Sequence, residues 1–593
     1  MKKQLLIIAS FALLTGCIKY NPEITVDELK TNIGFLASDS LKGRMTGSKE
    51  IQSAANYLAG EFTKIGLTPL GDSSTFLKNY KFIGSTNIDK STFLKSNSDS
   101  LNLFADFTPL AFSADASGDN VEVVFAGFGA EAPEKKYNDY GKVEAKDKVV
   151  IVLKSLPEEN NPHSEFGSYS SQRSKTRLAQ QAGAKAIIFV NGFDDDSTDQ
   201  LSKFEYDRAA SQSIPAYSVK RSIVNKWLKS ANKPDLTTLE KSIASSLKPN
   251  SFVVSNLKIS FASKINFVTA PAFNVVALLP GSDSVLAKEY VVIGAHYDHW
   301  GMGGNGSLYR GKEPQIHNGA DDNASGTAGV IEIAQALAGA ENHPKRSVIF
   351  ALFSGEELGL LGSEALAQNF PVPISQVTTM INFDMIGRMD STRKLIIHGM
   401  GTSPEFKPLL DSLNKEFKFN IAFKDDGFGP SDHSSFYTKD IPVMFFFTDL
   451  HSDYHRPTDD ADKINYTGEK ELLDYALKAV LTVTDQPVKP VFTKVKSSSQ
   501  GRSMGFKVSL GLIPDYAAEV KGMKITAVNP GSAAEKAGLK GNDIIVKLGD
   551  NKIENIYDYT GILGTLVAGK TINLVYIRDG KEIKTTVTPV KRN

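Results

Sequence analysis

Five short segments of the chain bring together the residue types that hold metal ions and move protons. They are Gly294-Ala295-His296-Tyr297-Asp298-His299, Gly319-Ala320-Asp321-Asp322-Asn323-Ala324-Ser325-Gly326, Ser354-Gly355-Glu356-Glu357, Asn382-Phe383-Asp384 and Tyr454-His455-Arg456-Pro457-Thr458-Asp459. Imidazole nitrogen and carboxylate oxygen are ligands that a borderline divalent cation such as zinc accepts. A pair of such ions, about 3.5 to 4 Å apart, also needs a carboxylate able to bridge them. The segments supply histidines and several carboxylates, and the lone cysteine, Cys17, stands near the N-terminus, which excludes a thiolate site. Glu356 and Glu357 are adjacent; at the start of a helix their side chains would diverge by about 100°, one toward metal and one toward a bound water.

Taken together, the five segments resemble in order and spelling the co-catalytic two-zinc aminopeptidases, relatives of the glutamate carboxypeptidases and glutaminyl cyclases. Each segment alone would be a weak signal. The resemblance implies two zinc ions, with Asp322 bridging both, His296 and Asp384 completing one site, and Glu357 and His455 completing the other. It leaves Asp321 without a metal role. It makes Glu356 the general base, and Asp298, two residues after His296, a group that fixes the imidazole tautomer through its other nitrogen. The implied activity is metal-assisted hydrolysis that releases the N-terminal residue of a peptide. A carboxypeptidase or dipeptidase of the same family is the alternative. A non-catalytic receptor-like binding protein, the alternative from another class, would show by loss of a ligand or of Glu356, and none is missing. The cyclases use one metal, whereas every two-metal ligand is present here.

The other histidines receive plainer expectations. His163, His343 and His398 lie outside the segments and are expected at the surface or in packing, while His299, His317, His433 and His451 flank the site without an assigned role. Asp432-His433, within Gly429-Pro430-Ser431-Asp432-His433, is a candidate lining of the substrate pocket. The glycine-rich Gly301-Met302-Gly303-Gly304-Asn305-Gly306 lacks the following lysine and helix start of a phosphate loop and is expected to be a flexible loop near the mouth.

The elements that must carry these segments are strands alternating with helices between about 256 and 490. Apolar runs predict strands at Tyr290 to Ala295, Ser347 to Phe353, Met380 to Phe383, Lys394 to His398 and Pro442 to Phe447, with helices at Ser325 to Leu337 and Leu358 to Gln368. This alternation predicts an α/β domain, a mixed sheet flanked by helices, whose segments sit at the strand ends where such sheets place their sites. Before it, Leu29, Ile33 and Leu36, then Ile51, Ala54, Leu58, Phe62 and Ile65, recur at helical spacing.

Composition shifts divide the rest. Short β-rich runs from Val121 to Phe125, Val149 to Leu153 and Lys185 to Val190, with Tyr140-Gly141-Lys142-Val143 and Gln181-Ala182-Gly183-Ala184, resemble the protease-associated domain. Leu510-Gly511-Leu512, Val528-Asn529-Pro530-Gly531-Ser532-Ala533-Ala534, Ala537-Gly538-Leu539 and Gly541-Asn542-Asp543-Ile544-Ile545 resemble a PDZ domain, which implies a peptide or protein ligand taken up by strand addition. The expected organisation is a signal peptide at 1–17, catalytic segments at 24–110 and 256–490, a protease-associated insertion at 111–255, a polar linker at 491–504 and a PDZ domain at 505–593.

The start of the chain has Lys2 and Lys3, an apolar run from Leu5 to Leu14 and then Leu14-Thr15-Gly16-Cys17. That is an export signal, and its last four residues resemble the bacterial lipoprotein box, whose cysteine is lipidated. The expectation is a lipoprotein of the cell envelope, tethered to a bacterial membrane through Cys17, with no disulfide. With 67 basic and 67 acidic residues among 593, the chain has no global electrostatic drive toward nucleic acid.

Overall fold

The computed structural model describes residues 22–495 and 508–591, apart from 98, 159–165, 167–168, 170, 193–197, 207–210, 305, 310, 312, 515–519, 529–530, 550, 554–555 and 564–565. The signal peptide and Cys17, most of the linker and His163 lie outside the described residues. None of the helices described is long and apolar enough to cross a membrane. Two compact units divide the chain: 1–80 with 273–493, and 81–272 with 494–593.

The first unit is built on a mixed sheet. Its strand order is Thr68–Pro69, Ile265–Leu279, Ser347–Phe353, Tyr290–His296, Val377–Phe383, Val443–Phe447, Lys394–His398 and Asn420–Phe423. The four central strands, from Ser347–Phe353 to Val443–Phe447, run parallel, and antiparallel neighbours flank them on both sides. Every residue of Ser347–Phe353 and Val377–Phe383 is buried. Burial on both faces is the reason Ser347–Phe353 appears in the sequence as a nearly continuous apolar run rather than an alternating one.

Helices cover the sheet. Lys49–Ile65 starts where the Ser48 side chain accepts from the Ile51 amide and stops at Gly66 in the left-handed conformation. Its expected apolar stripe, Ile51, Ala54, Leu58, Phe62 and Ile65, is buried in the main core. Full burial of each large side chain contributes about 1.5 to 3 kcal/mol. Gly326–Gly339 is buried along nearly its whole length. One polar side chain of that helix, Glu332, is buried too: it accepts from Asn32 Nδ2 at 3.2 Å and from the Thr25 amide at 3.4 Å. Burial, and then the charge of Glu28, pushes its carboxyl up to about 8 from 4.5. The folded chain therefore keeps a proton that the unfolded chain releases first, and stability declines as pH rises between those two values. Glu332→Gln should flatten that decline; melting curves at pH 5 and pH 8 would check it, and parallel losses in variant and parent would count against it.

Among the described residues, the second unit holds two large sheets with cores of their own and two two-stranded sheets. The larger has the strand order Asp99–Ser100, Phe93–Ser96, Phe252–Ser263, Ala116–Phe125, Val149–Leu153, Ala186–Val190, Ala216–Val219 and Phe107–Pro109. Strands on both sides of the expected insertion limits therefore belong to it, and the unit begins at Lys81 and continues to Ala272, wider than 111–255. Of the outlying strands, Phe93–Ser96 alternates exposed and buried residues and Asp99–Ser100 is exposed, so no long apolar run announces them. The smaller sheet joins Leu512–Pro514, Met523–Val528, Ile544–Leu548, Ile572–Arg578 and Lys581–Val587, with Asn551–Lys552 paired to Ile544–Leu548. Ala533–Lys536 and Ile556–Leu563 are its helices.

Candidate metal centre

The central parallel strands deliver the site. His296 is the last residue of Tyr290–His296, Asp384 follows Val377–Phe383 directly, and Glu356-Glu357 follow Ser347–Phe353 after two residues. Asp322 lies in the irregular turn Ala320–Ser325, with φ −105° and ψ 92°, just before the helix Gly326–Gly339. His455 is carried on the loop after Val443–Phe447, at positive φ.

Four distances define the cluster. His296 Nε2 lies 3.2 Å from Asp322 Oδ1 and 3.4 Å from Asp384 Oδ1; His455 Nε2 lies 3.3 Å from Asp322 Oδ2 and 3.3 Å from Glu357 Oε2. The two oxygens of Asp322 thus face two separate histidine–carboxylate sets. Ligands about 2.0 to 2.1 Å from a tetrahedral zinc ion are about 3.3 Å from one another, so the spacing fits the edges of two such polyhedra. Asp384 Oδ1 is buried without a hydrogen-bond partner, as a metal ligand's oxygen would be.

The electrostatics point the same way. Burial would lower both imidazoles, but Asp384 and Glu356 drive His296 well above its ordinary value, and Asp322 and Glu357 raise His455 to about 10. Burial tends to raise Asp322, yet His299, His296 and His455 hold it well below the carboxylate range. Without a cation, protonated histidines offset the charge of the carboxylates; a divalent ion would supply that charge and leave the rings neutral to bind it. The chemistry of the donor set therefore fits zinc.

Glu356 stands apart from the four contacts. Its Oε2 is 3.9 Å from His296 Nε2, and burial, with Glu357, Asp384 and Asp432 nearby, holds its carboxyl well above the ordinary range despite His296. Glu356 and Glu357 diverge as expected, but not from a helix. Gly355, Gly359 and Leu360 all have positive φ, the 356–360 backbone forms a turn, and the helix begins only at Leu361.

Asp298 faces the second ring nitrogen of His296. His296 Nδ1 is 3.2 Å from the Asp298 backbone carbonyl and 3.6 Å from its carboxylate. The carboxylate instead accepts from Thr46 Oγ1 at 2.8 Å and from the Glu356 amide at 3.2 Å, and Thr46 Oγ1 in turn accepts from the Gly355 amide at 2.9 Å. Asp298 thus contacts the His296 ring through its backbone carbonyl and the Glu356 turn through its side chain.

Several residues with no expected role prove to hold the site. Arg44 is completely buried and donates to the carbonyls of Tyr297, Gly319, Asn318 and Leu36; burial lowers its guanidinium to about 10. Asp459 Oδ2 accepts from the amides of Asp321 and Asp322 at 3.0 and 3.1 Å. Asp321 accepts from the Gly387 amide and lies 3.1 Å from His451 Nε2. Ser431 Oγ donates to Asp384 Oδ2 at 2.6 Å, which leaves Oδ1 for the cluster. The glycine-rich segment, expected to be a flexible loop near the mouth, meets the cluster at its end: Gly306 O accepts from His455 Nδ1 at 2.9 Å, and beyond it the Leu308 amide donates to His455 O at 2.9 Å. His317 reaches Ser307 Oγ at 2.7 Å.

Asp432 and His433 are fully buried, with no exposed surface to line an open pocket; His433 stacks on Phe445, and burial pushes Asp432 up to about 7. His398 also stacks on Phe445, and His343 is exposed. Tyr454 stacks on His455 with ring centroids 3.7 Å apart, and Trp300 meets the same imidazole edge-on.

Residues 274–480 match the model of peptidase family M28, 116–227 the PA domain and 493–588 the PDZ domain. Among curated proteins, the chain is 40% identical over 113 residues to a probable zinc metalloprotease of Pyrenophora teres f. teres, covering 19% of this chain and 22% of that one. It is 29% identical over 180 residues to a probable leucine aminopeptidase of Arthroderma otae, covering 29% of this chain and 45% of that one. The match thus spans less than half the length of either relative. Among solved structures, an aminopeptidase from Aneurinibacillus sp. strain AM-1 aligns with a TM-score of 0.47 at 20% identity, over 80% of this chain and 97% of that one. Residues 274–480 therefore form a domain of peptidase family M28, in a chain that also carries a PA domain and a PDZ domain.

Proposed function

We propose that the protein is a zinc-dependent exopeptidase that releases the N-terminal residue of peptides, exported and tethered to the bacterial cell envelope by lipid at Cys17. The observation that carries the catalytic part is the sharing of Asp322 between two histidine–carboxylate sets at 3.2 to 3.4 Å. In this reading His296, Asp384 and Asp322 Oδ1 hold one zinc ion, and His455, Glu357 and Asp322 Oδ2 hold a second. The words zinc and aminopeptidase in the names of the relatives agree with it.

Bound zinc supplies a Lewis acid for the scissile carbonyl and lowers the pKa of water. Glu356, uncommitted to either ligand set, takes the proton of the attacking water and delivers it to the leaving amine. Asp298 and Thr46 keep the Glu356 turn in place for both transfers. Two metal ions alone do not choose between the ends of a peptide, and the preference for the amino end leans on the relative named a probable leucine aminopeptidase.

A peptide with a free amino terminus should be shortened residue by residue from that end by the zinc-loaded protein, while its N-acetylated form resists. Mass spectrometry of timed digests would check this. Release from the carboxyl end would refute the reading in favour of a carboxypeptidase.

A further inference from the structure

His299 is wholly buried beside the second ligand set. Its Nδ1 lies 2.7 Å from Glu357 Oε1 and 3.9 Å from Asp322 Oδ2. Ring and carboxylate meet off the hydrogen-bond axis, and neither His299 nitrogen nor Glu357 Oε1 has a hydrogen-bond partner among the described residues. The place is nonetheless built for this ring. The His299 amide donates to Arg44 O at 3.3 Å, and Gly319, at φ +58°, stands where a Cβ would come within 2.5 Å of the imidazole Cγ.

His299, Asp322 and Glu357 offer donor atoms all within 4.8 Å of one another, and one distance tells their roles apart. Two donors on one zinc ion stand about 3.3 Å apart, the spacing of His455 Nε2 from Glu357 Oε2. The 2.7 Å between His299 and Oε1 is shorter and matches a charge-assisted N–H···O contact. Glu357 therefore offers one oxygen to each histidine.

We propose that His299 is a positioning residue for the second zinc site: its Nδ1–H engages Glu357 Oε1 and so presents Oε2 to the ion held with His455 and Asp322, without becoming a ligand. The inference rests on the two-zinc reading above. A slight turn of the ring or the carboxylate aligns the pair once Oε2 is held. Loss of such an outer partner typically costs 10- to 100-fold in metal affinity.

The test is zinc binding by metal-stripped full-length protein, in competition with a chromophoric chelator, for the parent, His299→Leu, His299→Ala and His299→Asn. In the Leu and Ala variants one of the two dissociation constants should rise by about 10- to 100-fold while the other stays put. His299→Asn, whose amide NH2 can stand where Nδ1–H does, should recover most of the loss. With cobalt at saturation, the visible spectrum of the Asn variant should match that of the parent, because the ligands are unchanged. Parent-like constants in whichever of the Leu and Ala variants folds would overturn the proposal and leave the two-zinc reading standing. A changed cobalt spectrum in His299→Asn would make His299 a ligand and also overturn it. Uptake of fewer than two zinc ions by the parent would instead remove the reading on which it rests.

Discussion

Glu356→Gln should bind two zinc ions as the parent does and lose 10²- to 10⁴-fold in kcat, the usual cost of removing a general base. An amide cannot accept the proton of water, but Glu356 belongs to neither of the 3.2 to 3.4 Å ligand sets, so nothing that holds metal is removed. Its neighbour behaves differently. Glu357→Gln replaces a charged ligand with a neutral, poorer one, and should lower zinc content before it lowers the turnover of fully loaded protein. His455→Ala is the control expected to resemble Glu357→Gln. Elemental analysis and kcat on the same preparations separate the two roles; loss of metal by Glu356→Gln, with two zinc ions retained by Glu357→Gln, would reverse the assignment.

The second large effect belongs to Asp322. Its two oxygens face different histidines, so in the proposed two-zinc arrangement Asp322→Ala removes a ligand from both sites at once. Affinity should fall at each by more than the 10- to 100-fold that loss of an outer partner costs, and activity should vanish at micromolar zinc. The backbone there is held independently, because the Asp322 amide donates to Asp459 and the Asn323 side chain donates to the Phe383 carbonyl. The variant should therefore fold, with a circular dichroism spectrum like that of the parent. Loss of only one zinc ion would mean that Asp322 serves a single site.

Much of this arrangement is legible in the sequence because buried parallel strands write themselves as apolar runs, and the chemical groups sit at the ends of those runs. His296 and Asp384 adjoin the last residues of Tyr290–His296 and Val377–Phe383, so strand prediction alone brings them near one another. What is illegible acts through the backbone or across long separations. Arg44 engages four carbonyls, which have no side-chain signature, and Gly306 orients His455 by its carbonyl alone. Asp298 carries its motif spacing from His296, but its carboxylate is claimed by Thr46, 252 positions away, and by the Glu356 amide. A helix at Leu358 is the natural expectation from its apolar residues, yet two positive-φ positions, at Gly359 and Leu360, delay it to Leu361. The edge of the β-rich unit was obscured by polarity, since strands such as Phe93–Ser96 and Asp99–Ser100 spend half or more of their residues on solvent.

Anomalous diffraction at the zinc absorption edge, from crystals of the zinc-loaded protein, tests the central claim most directly. The account predicts two peaks about 3.5 to 4 Å apart, one between His296, Asp384 and Asp322 Oδ1, the other between His455, Glu357 and Asp322 Oδ2. A single peak, or two that do not share Asp322, would contradict it.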